Sequence, residues 1–248
     1  MAIPTKISML EKDFVNTITD KKYKFNFYRD DADPNPASYG TFADEEIVRQ
    51  QYWYNEISAN DIIFDIGASF GSYTLPALTE GAIVYAFCPE HEFPLIKKSV
   101  DANPGFKERF HVYDFGLYSE PGVFKTDTME FHKLKEMSQA EINRLNEHHD
   151  YGWYIHVKKL DDFVSTLDLD KINFIKIDAK GAELAILKGG EQTIKKFKPK
   201  LLIEFHIFKD PNLEKNCHEF VTNLGYEREG YVEYTPSVHH GFYVFNQA

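Results

Sequence analysis

Two regions of this 248-residue chain carry side chains whose types and spacing suit chemistry. The first is "FDIGASFGSY", Phe64 to Tyr73, in which Asp65 is followed by Gly67, Ser69 and Gly71. An acid and two glycines four apart, led in by the apolar, β-branched run "DIIF", read as a strand, a tight turn and a helix start. Such a turn brings backbone N–H groups close to a nucleotide-like ligand. The second region is the pair of runs "IKID" and "LLIEFH", which end in Asp178 and in Glu204 and His206. Residues 204 and 206 of an extended strand share a face. His206 is the leading general base and Asp178 its neighbour; a positioned base of this kind contributes about 10²–10⁴-fold. The three side chains are also oxygen and nitrogen donors suited to a divalent cation, though the leading reading holds no metal. A helix cap for Asp178 and a structural hydrogen bond for His206 are the plain alternatives.

The turn narrows the ligand. A dinucleotide fingerprint reads G-x-G-x-x-G, and here residue 69 is serine. Asp65-x-Gly67-x-x-x-Gly71 is instead the spacing of S-adenosylmethionine (SAM) methyltransferases. A ribose needs a carboxylate roughly 20 residues further on, at the end of the next strand. In "YAFCPEHEF" the available acids are Glu90 and Glu92, and Glu90 is the one assigned to the ribose. Asp114, in "YDFG", can accept from an adenine amino group; as an ordinary turn residue it would look the same.

These residues need a scaffold, and from Asp61 onward the pattern alternates. Strand "DIIFDIG" precedes a helix over 70–79, and strand "AIVYAFC" precedes a helix over 91–102. "RFHVYDFGLY" is a third strand and "INFIKIDAKG" a fourth, followed by a helix through "AELAILKGGEQTIKKF". "KLLIEFH", a helix over 212–223 and "GFYVFN" close the series. Strands alternating with helices predict an α/β fold, a mostly parallel twisted sheet with helices on both faces. Ligands of such sheets sit at the carboxyl ends of the strands. Residues 1–58 stand apart as an N-terminal extension, with a strand in "KYKFNFYRD", a loop in "DDADPNPASYG" and a helix in "ADEEIVRQQYWYNEI". Residues 59–248 then form the main domain, interrupted by a less regular segment over 119–158.

The totals exclude several classes. A net charge of −11 disfavours a duplex nucleic acid partner, which needs a basic face. Cys88 and Cys217 are far apart and suggest neither a zinc site nor a disulfide framework. No signal peptide core and no apolar window of membrane-spanning length appears, so the expectation is a soluble cytoplasmic protein.

Three stretches, "FDIGASFGSYT", "VKKLDDFV" and "IKIDAKGAELAILKGG", together resemble one family, the FkbM-type SAM-dependent methyltransferases. "VYAFCPE" and "LLIEFH" follow in matching order, so the resemblance spans about residues 60–206. It implies a class I, Rossmann-like methyltransferase fold that binds SAM and methylates a hydroxyl of a sugar, polyketide or similar small metabolite. Asp65, Gly67, Ser69 and Gly71 would hold the methionine end; Asp178, Lys180 and His206 would face the acceptor. Two positions depart from the family pattern. Cys88 stands where a ribose-binding glutamate is common, and Lys180 where the family commonly has another glutamate. Both changes remove negative charge near a cationic sulfonium. Glu90 would then take the ribose, and Lys180 would bind an anionic substrate group or pair with Glu183. The rival readings are a SAM- or nucleotide-binding module without turnover and a nicotinamide-dependent oxidoreductase, the latter opposed by the missing third glycine.

Overall fold

The computed structural model describes residues 7–15, 22–30, 53, 55–89, 92–125, 130–132, 138–146 and 154–246. Its centre is a seven-stranded sheet. Five strands are parallel: β3 (Ile62–Ile66), β4 (Ile83–Phe87), β5 (Phe110–Tyr113), β10 (Phe174–Ile177) and β11 (Lys200–His206). The hairpin of β12 (Tyr226–Thr235) and β13 (Val238–Phe245) adds two antiparallel strands beyond β11. The order is β12-β13-β11-β10-β3-β4-β5. The chain runs outward from β3 to β5 and returns to β10 on the other side of β3, so the strand order reverses between β3 and β10. A crevice opens at such a switch point.

Every residue of β3 and of β10 is buried, as a parallel sheet covered on both faces requires. Alternate residues serve opposite faces. Ile63, Val84, Phe174, Leu202 and Phe242 join a core covered by α1 (Thr74–Thr79) and α2 (Phe93–Asp101). Phe64, Phe87, Ile175, Ile203 and Tyr243 join the other, covered by α4 (Leu160–Val164), α5 (Glu183–Gly189), α6 (Glu191–Phe197) and α7 (Leu213–Asn223). Phe163 of α4 contacts four rings of that face edge-on: Phe64, Phe87, Tyr113 and Phe115.

The N-terminal strands β1 (Ile7–Val15) and β2 (Lys22–Asp30) form an antiparallel hairpin. Its alternate residues Tyr23, Phe25 and Phe27 are buried in the first core. Polar bonds fix it to α2 and the following turn: the Tyr28 N–H donates to Ser99 Oγ at 2.8 Å, and the Asn103 amide donates to the Asn26 carbonyl at 2.7 Å. Residues 43–52 and 54 of the expected helix lie outside the described residues. Trp53 is fully buried, and its indole N–H donates to the Tyr73 carbonyl at 3.2 Å.

Other expectations needed revision. "RFHVYDFGLY" breaks at Asp114, and β6 (Gly116–Tyr118) leaves the central sheet. The segment expected to be irregular supplies β7 (Gly122–Lys125), β8 (Glu130–His132), α3 (Gln139–Asn146) and β9 (Tyr154–Lys159). With β6 these strands build a second, four-stranded sheet. The long helix after Asp178 breaks into α5 and α6 at Gly189 and Gly190. A Cβ on Gly189 would lie 2.1 Å from the Tyr118 carbonyl oxygen, and one on Gly190 would lie 2.6 Å from Leu160. Close approach of backbone to its neighbours, not turn geometry, requires these glycines. Strand β12 was missed because its charged, polar sequence is that of an exposed edge. Among the described residues no helix is long and apolar enough to cross a membrane.

Candidate active site at the carboxyl ends of β3, β4, β10 and β11

The turn after β3 has the left-handed backbone that its glycines allow: φ is +80° at Gly67 and +92° at Gly71. Ser69 adopts φ +47°, a conformation uncommon for a residue with a Cβ. The N–H groups of Gly67 and Ala68 both donate to the Phe87 carbonyl at 3.0 Å, tying the turn to the end of β4. A Cβ on Gly67 would lie 1.8 Å from the Asp178 carbonyl oxygen. The glycine therefore lets β3 and β10 end side by side.

Lys176, in the middle of β10, locks this junction. Its Nζ donates to the Gly67 carbonyl at 2.8 Å and lies 3.3 Å from Asp65 Oδ1 and 3.4 Å from Asp178 Oδ2. The ammonium also sits 4.9 Å from the centre of the Tyr73 ring. Burial by itself would lower the Lys176 pKa, but the fields of Asp65, Asp178 and Glu204 outweigh it and hold the pKa above its ordinary value. Asp65 is fully buried and also accepts from the Thr74 hydroxyl at 2.7 Å. It braces the turn from beneath, and no face of it lines the cleft.

Asp178, Glu204 and His206 converge, with one donor atom of each within 4.8 Å of the others. The His206 Nδ1–H donates to Glu183 Oε1 at 2.9 Å. That oxygen also accepts from the Ala179 and Gly181 N–H groups at 3.1 Å each, which fixes the loop after β10. His206 Nε2 faces Glu204 Oε1 at 3.4 Å and Asp178 Oδ1 at 3.7 Å. The other Glu204 oxygen accepts from His240 Nε2 at 2.7 Å. Burial would lower the His206 pKa; the hydrogen bond to Glu183 and the charges of Asp178, Glu183 and Glu204 raise it to about 9. Burial likewise favours the protonated form of Asp178, yet Lys176, His206 and Lys180 outweigh it and lower its pKa. In the absence of a metal these neighbours favour the imidazolium form of His206. In that form it has no lone pair for the proton that the sequence reading assigned to it.

Beside this cluster lies a cavity of about 180 Å³. The β3 turn contributes Gly67 and Ser69 to its wall, the end of β4 contributes Cys88, Pro89 and Glu92, and the second sheet contributes Leu117, Tyr118 and Phe124. Asp178, Ala179 and Lys180 close the side nearest β10. The structure thus brings Gly67, Ser69, Cys88, Asp178 and Lys180 to one cavity. Gly71 packs on Ile96 and Leu75, and Asp114 is exposed after β5; neither lines it. Glu90 lies outside the described residues. Cys88 is buried, with its thiol directed at the Ser69 carbonyl at 3.5 Å. Lys180 is exposed and adopts φ +52°.

Sequence reasoning missed Lys176, cast Glu183 only as a partner for Lys180, and passed over Glu92, which is 6% exposed and accepts from the Ser69 hydroxyl at 3.5 Å. A lysine inside a run that reads as a central parallel strand was the available signal for Lys176, because such a charge must be paired.

A family model described as the methyltransferase FkbM domain matches residues 65–232. Among solved structures the chain is similar to methyltransferase FkbM from Methylobacillus flagellatus KT, at 18% identity and a TM-score of 0.53. That match covers 82% of this chain and 53% of the other, so the chain spans about half the length of that structure. It is also similar to magnesium protoporphyrin IX methyltransferase from Synechocystis PCC 6803, solved with bound SAM, at 8% identity and a TM-score of 0.50. Here 85% of this chain and 81% of the other are covered. These likenesses show the class I, Rossmann-like methyltransferase fold. No curated protein matches the sequence.

Proposed function

Because the chain belongs to the FkbM methyltransferase family, we propose that it methylates a hydroxyl of a small, carbohydrate-like acceptor at the expense of SAM. The observation that carries this reading is the cavity itself, bounded by the Gly67–Ser69 turn on one side and Asp178 on another. The residues present fit the cofactor. The positive-φ turn presents backbone to the cavity, Glu92 offers a carboxylate where a ribose needs an acceptor, and Ile66, Phe87 and Leu117 supply apolar wall. Bound SAM supplies a methyl group activated by its sulfonium.

The chain's own residues then have distinct tasks. Glu92, rather than Cys88, takes hydrogen bonds from the ribose hydroxyls; a buried thiol directed at the Ser69 carbonyl is a poor acceptor. Asp178 and Glu204 place negative charge beside the sulfonium position, and Lys176 fixes the orientation of Asp178. Asp178 lines the cavity and receives the acceptor's proton at a carboxylate oxygen. A weak base suffices, because the hydroxyl becomes acidic only as its new bond forms. Lys180, exposed at the rim, attracts anionic groups on an acceptor. A net charge of −11 supports a small molecule over a nucleic acid. Residues 1–58 we take as an extension that helps to cover the 59–248 domain, as the burial of Tyr23, Phe25 and Phe27 suggests.

Calorimetric titration with S-adenosylhomocysteine, with NAD run beside it, tests the cofactor. Binding of the first alone, at micromolar affinity or tighter (about −8 kcal/mol or better), is expected. Turnover is then read as methylation across a panel of hydroxylated acceptors. Binding of NAD alone would overturn the reading, and binding without turnover on any acceptor would leave a cofactor-binding module.

A further inference from the structure

The geometry points to a divalent cation site formed by Asp178 Oδ1, Glu204 Oε1 and His206 Nε2. Each of the three side chains has its other polar atom already held. Asp178 Oδ2 pairs with Lys176 at 3.4 Å, Glu204 Oε2 accepts from His240 at 2.7 Å, and His206 Nδ1 donates to Glu183 at 2.9 Å. The remaining atom of each is thereby turned inward to a common point. A carboxylate on the far nitrogen of a histidine is the usual means of orienting and fixing the tautomer of a metal ligand.

The histidine is an independent sign. Its side chain is nine-tenths buried and is aimed between the two carboxylates. Yet among the described residues Nε2 has only the approaches of 3.4 and 3.7 Å and no hydrogen bond. Donors bound to one ion at about 2.0–2.2 Å lie roughly 3–3.5 Å apart, close to those approaches. The local charge asks for a cation as well. Asp65, Asp178 and Glu204 act on the buried Lys176 ammonium, and Glu183 holds His206, so among the described residues four carboxylates face one lysine and one imidazole, whose Nε2 proton a cation would replace. Two carboxylates and one imidazole, without a thiolate, favour a cation of the Mg²⁺/Mn²⁺ class.

Asp178 lines the cavity, so the open positions of the ion would face the acceptor. There its field would lower the pKa of a bound hydroxyl, a stronger activation than the carboxylate gives alone. That use rests on the function proposed above; the site itself rests on the side-chain geometry and stands without it.

The experiment uses Mn²⁺ as the probe on the full chain, after treatment with a chelator that is then removed. Calorimetry measures binding, and pulsed electron paramagnetic resonance detects nitrogen coupled to the bound Mn²⁺. The expected result is one saturable site with nitrogen coupling. Glu204→Gln and the outer-sphere variant Glu183→Gln should each weaken binding by about 10–100-fold. Absence of saturable binding by folded wild-type protein overturns the site, as does bound Mn²⁺ without nitrogen coupling. Neither reading requires a variant to fold. S-adenosylhomocysteine is titrated in parallel: its failure to bind beside nitrogen-coupled Mn²⁺ would sink the methyl-transfer reading and leave the cation site standing.

Discussion

Replacing Lys176 by methionine keeps most of the volume of the side chain and removes its charge. Asp65, fully buried, then loses the cation 3.3 Å away, Asp178 loses the one at 3.4 Å, and the Gly67 carbonyl loses its donor. Removing one partner of a buried ion pair costs about 3–5 kcal/mol, because the other charge stays buried without compensation. For a protein of this size each kcal/mol shifts Tm by about 2–4 °C, so the melting midpoint should fall by about 6–20 °C. Urea unfolding followed by circular dichroism at pH 7 reads the loss directly. The companion variant carries Asp65→Asn as well. If the cost comes from the abandoned carboxylate, neutralising it should restore a substantial part of the stability, a coupling of about 1–3 kcal/mol in a double-mutant cycle. A Lys176→Met protein within about 1 kcal/mol of wild type would refute the argument. So would strict additivity of the two changes. In that case the ammonium would be held by packing alone, and its contacts with Asp65 and Asp178 would be incidental.

The β3 turn permits a paired test of crowding against backbone strain. Gly67→Ala puts a Cβ 1.8 Å from the Asp178 carbonyl oxygen at φ +80° and should leave little folded protein. Gly105→Ala, at φ +79° with nothing within 4 Å, should cost only the left-handed strain of about 1–2 kcal/mol in urea unfolding. Glu92→Gln should weaken S-adenosylhomocysteine binding by about 10–100-fold, the equivalent of a lost charged hydrogen bond, with an unchanged circular dichroism spectrum; equal affinities would remove Glu92 from the ribose site. Away from the cavity, burial would raise the Glu214 pKa, but hydrogen bonds from His239 and Arg228 outweigh it and lower the pKa. A depressed folded pKa means that this carboxylate stabilises the fold above its unfolded value of about 4.3. The contribution fades as pH falls through the lower folded value, and Glu214→Gln should flatten that part of the urea-midpoint profile against pH.

The parts of this protein that the sequence settled are those ruled by short-range physics. Near-continuous apolar runs in "FIKI" and "IIFDI", helices between the strands, and glycines where φ must be positive are properties of a few consecutive residues. They were enough to locate the central strands and to find the turn at Gly67. Edge and insertion were less legible. Tyr226–Thr235 is a strand only because β13 lies beside it, and Gly116–Tyr118 joins a second sheet because of β9. Charge state and partnership were decided by the fold alone. Lys176 reaches a carbonyl 109 residues away in the chain; its place in an apolar strand run signals a charge that must be paired, and only the fold shows its partners. His206 reads as a base until Glu183, Asp178 and Glu204 are seen around it; a pKa is set by the charges within a few ångströms, wherever in the sequence they lie. Asp65 reads as a ligand for the cofactor until it is found fully buried, with the Thr74 hydroxyl on one oxygen and the Lys176 ammonium 3.3 Å from the other. Side-chain type and local spacing determine what a residue is able to do, and only tertiary contact determines which of its atoms remain available to do it.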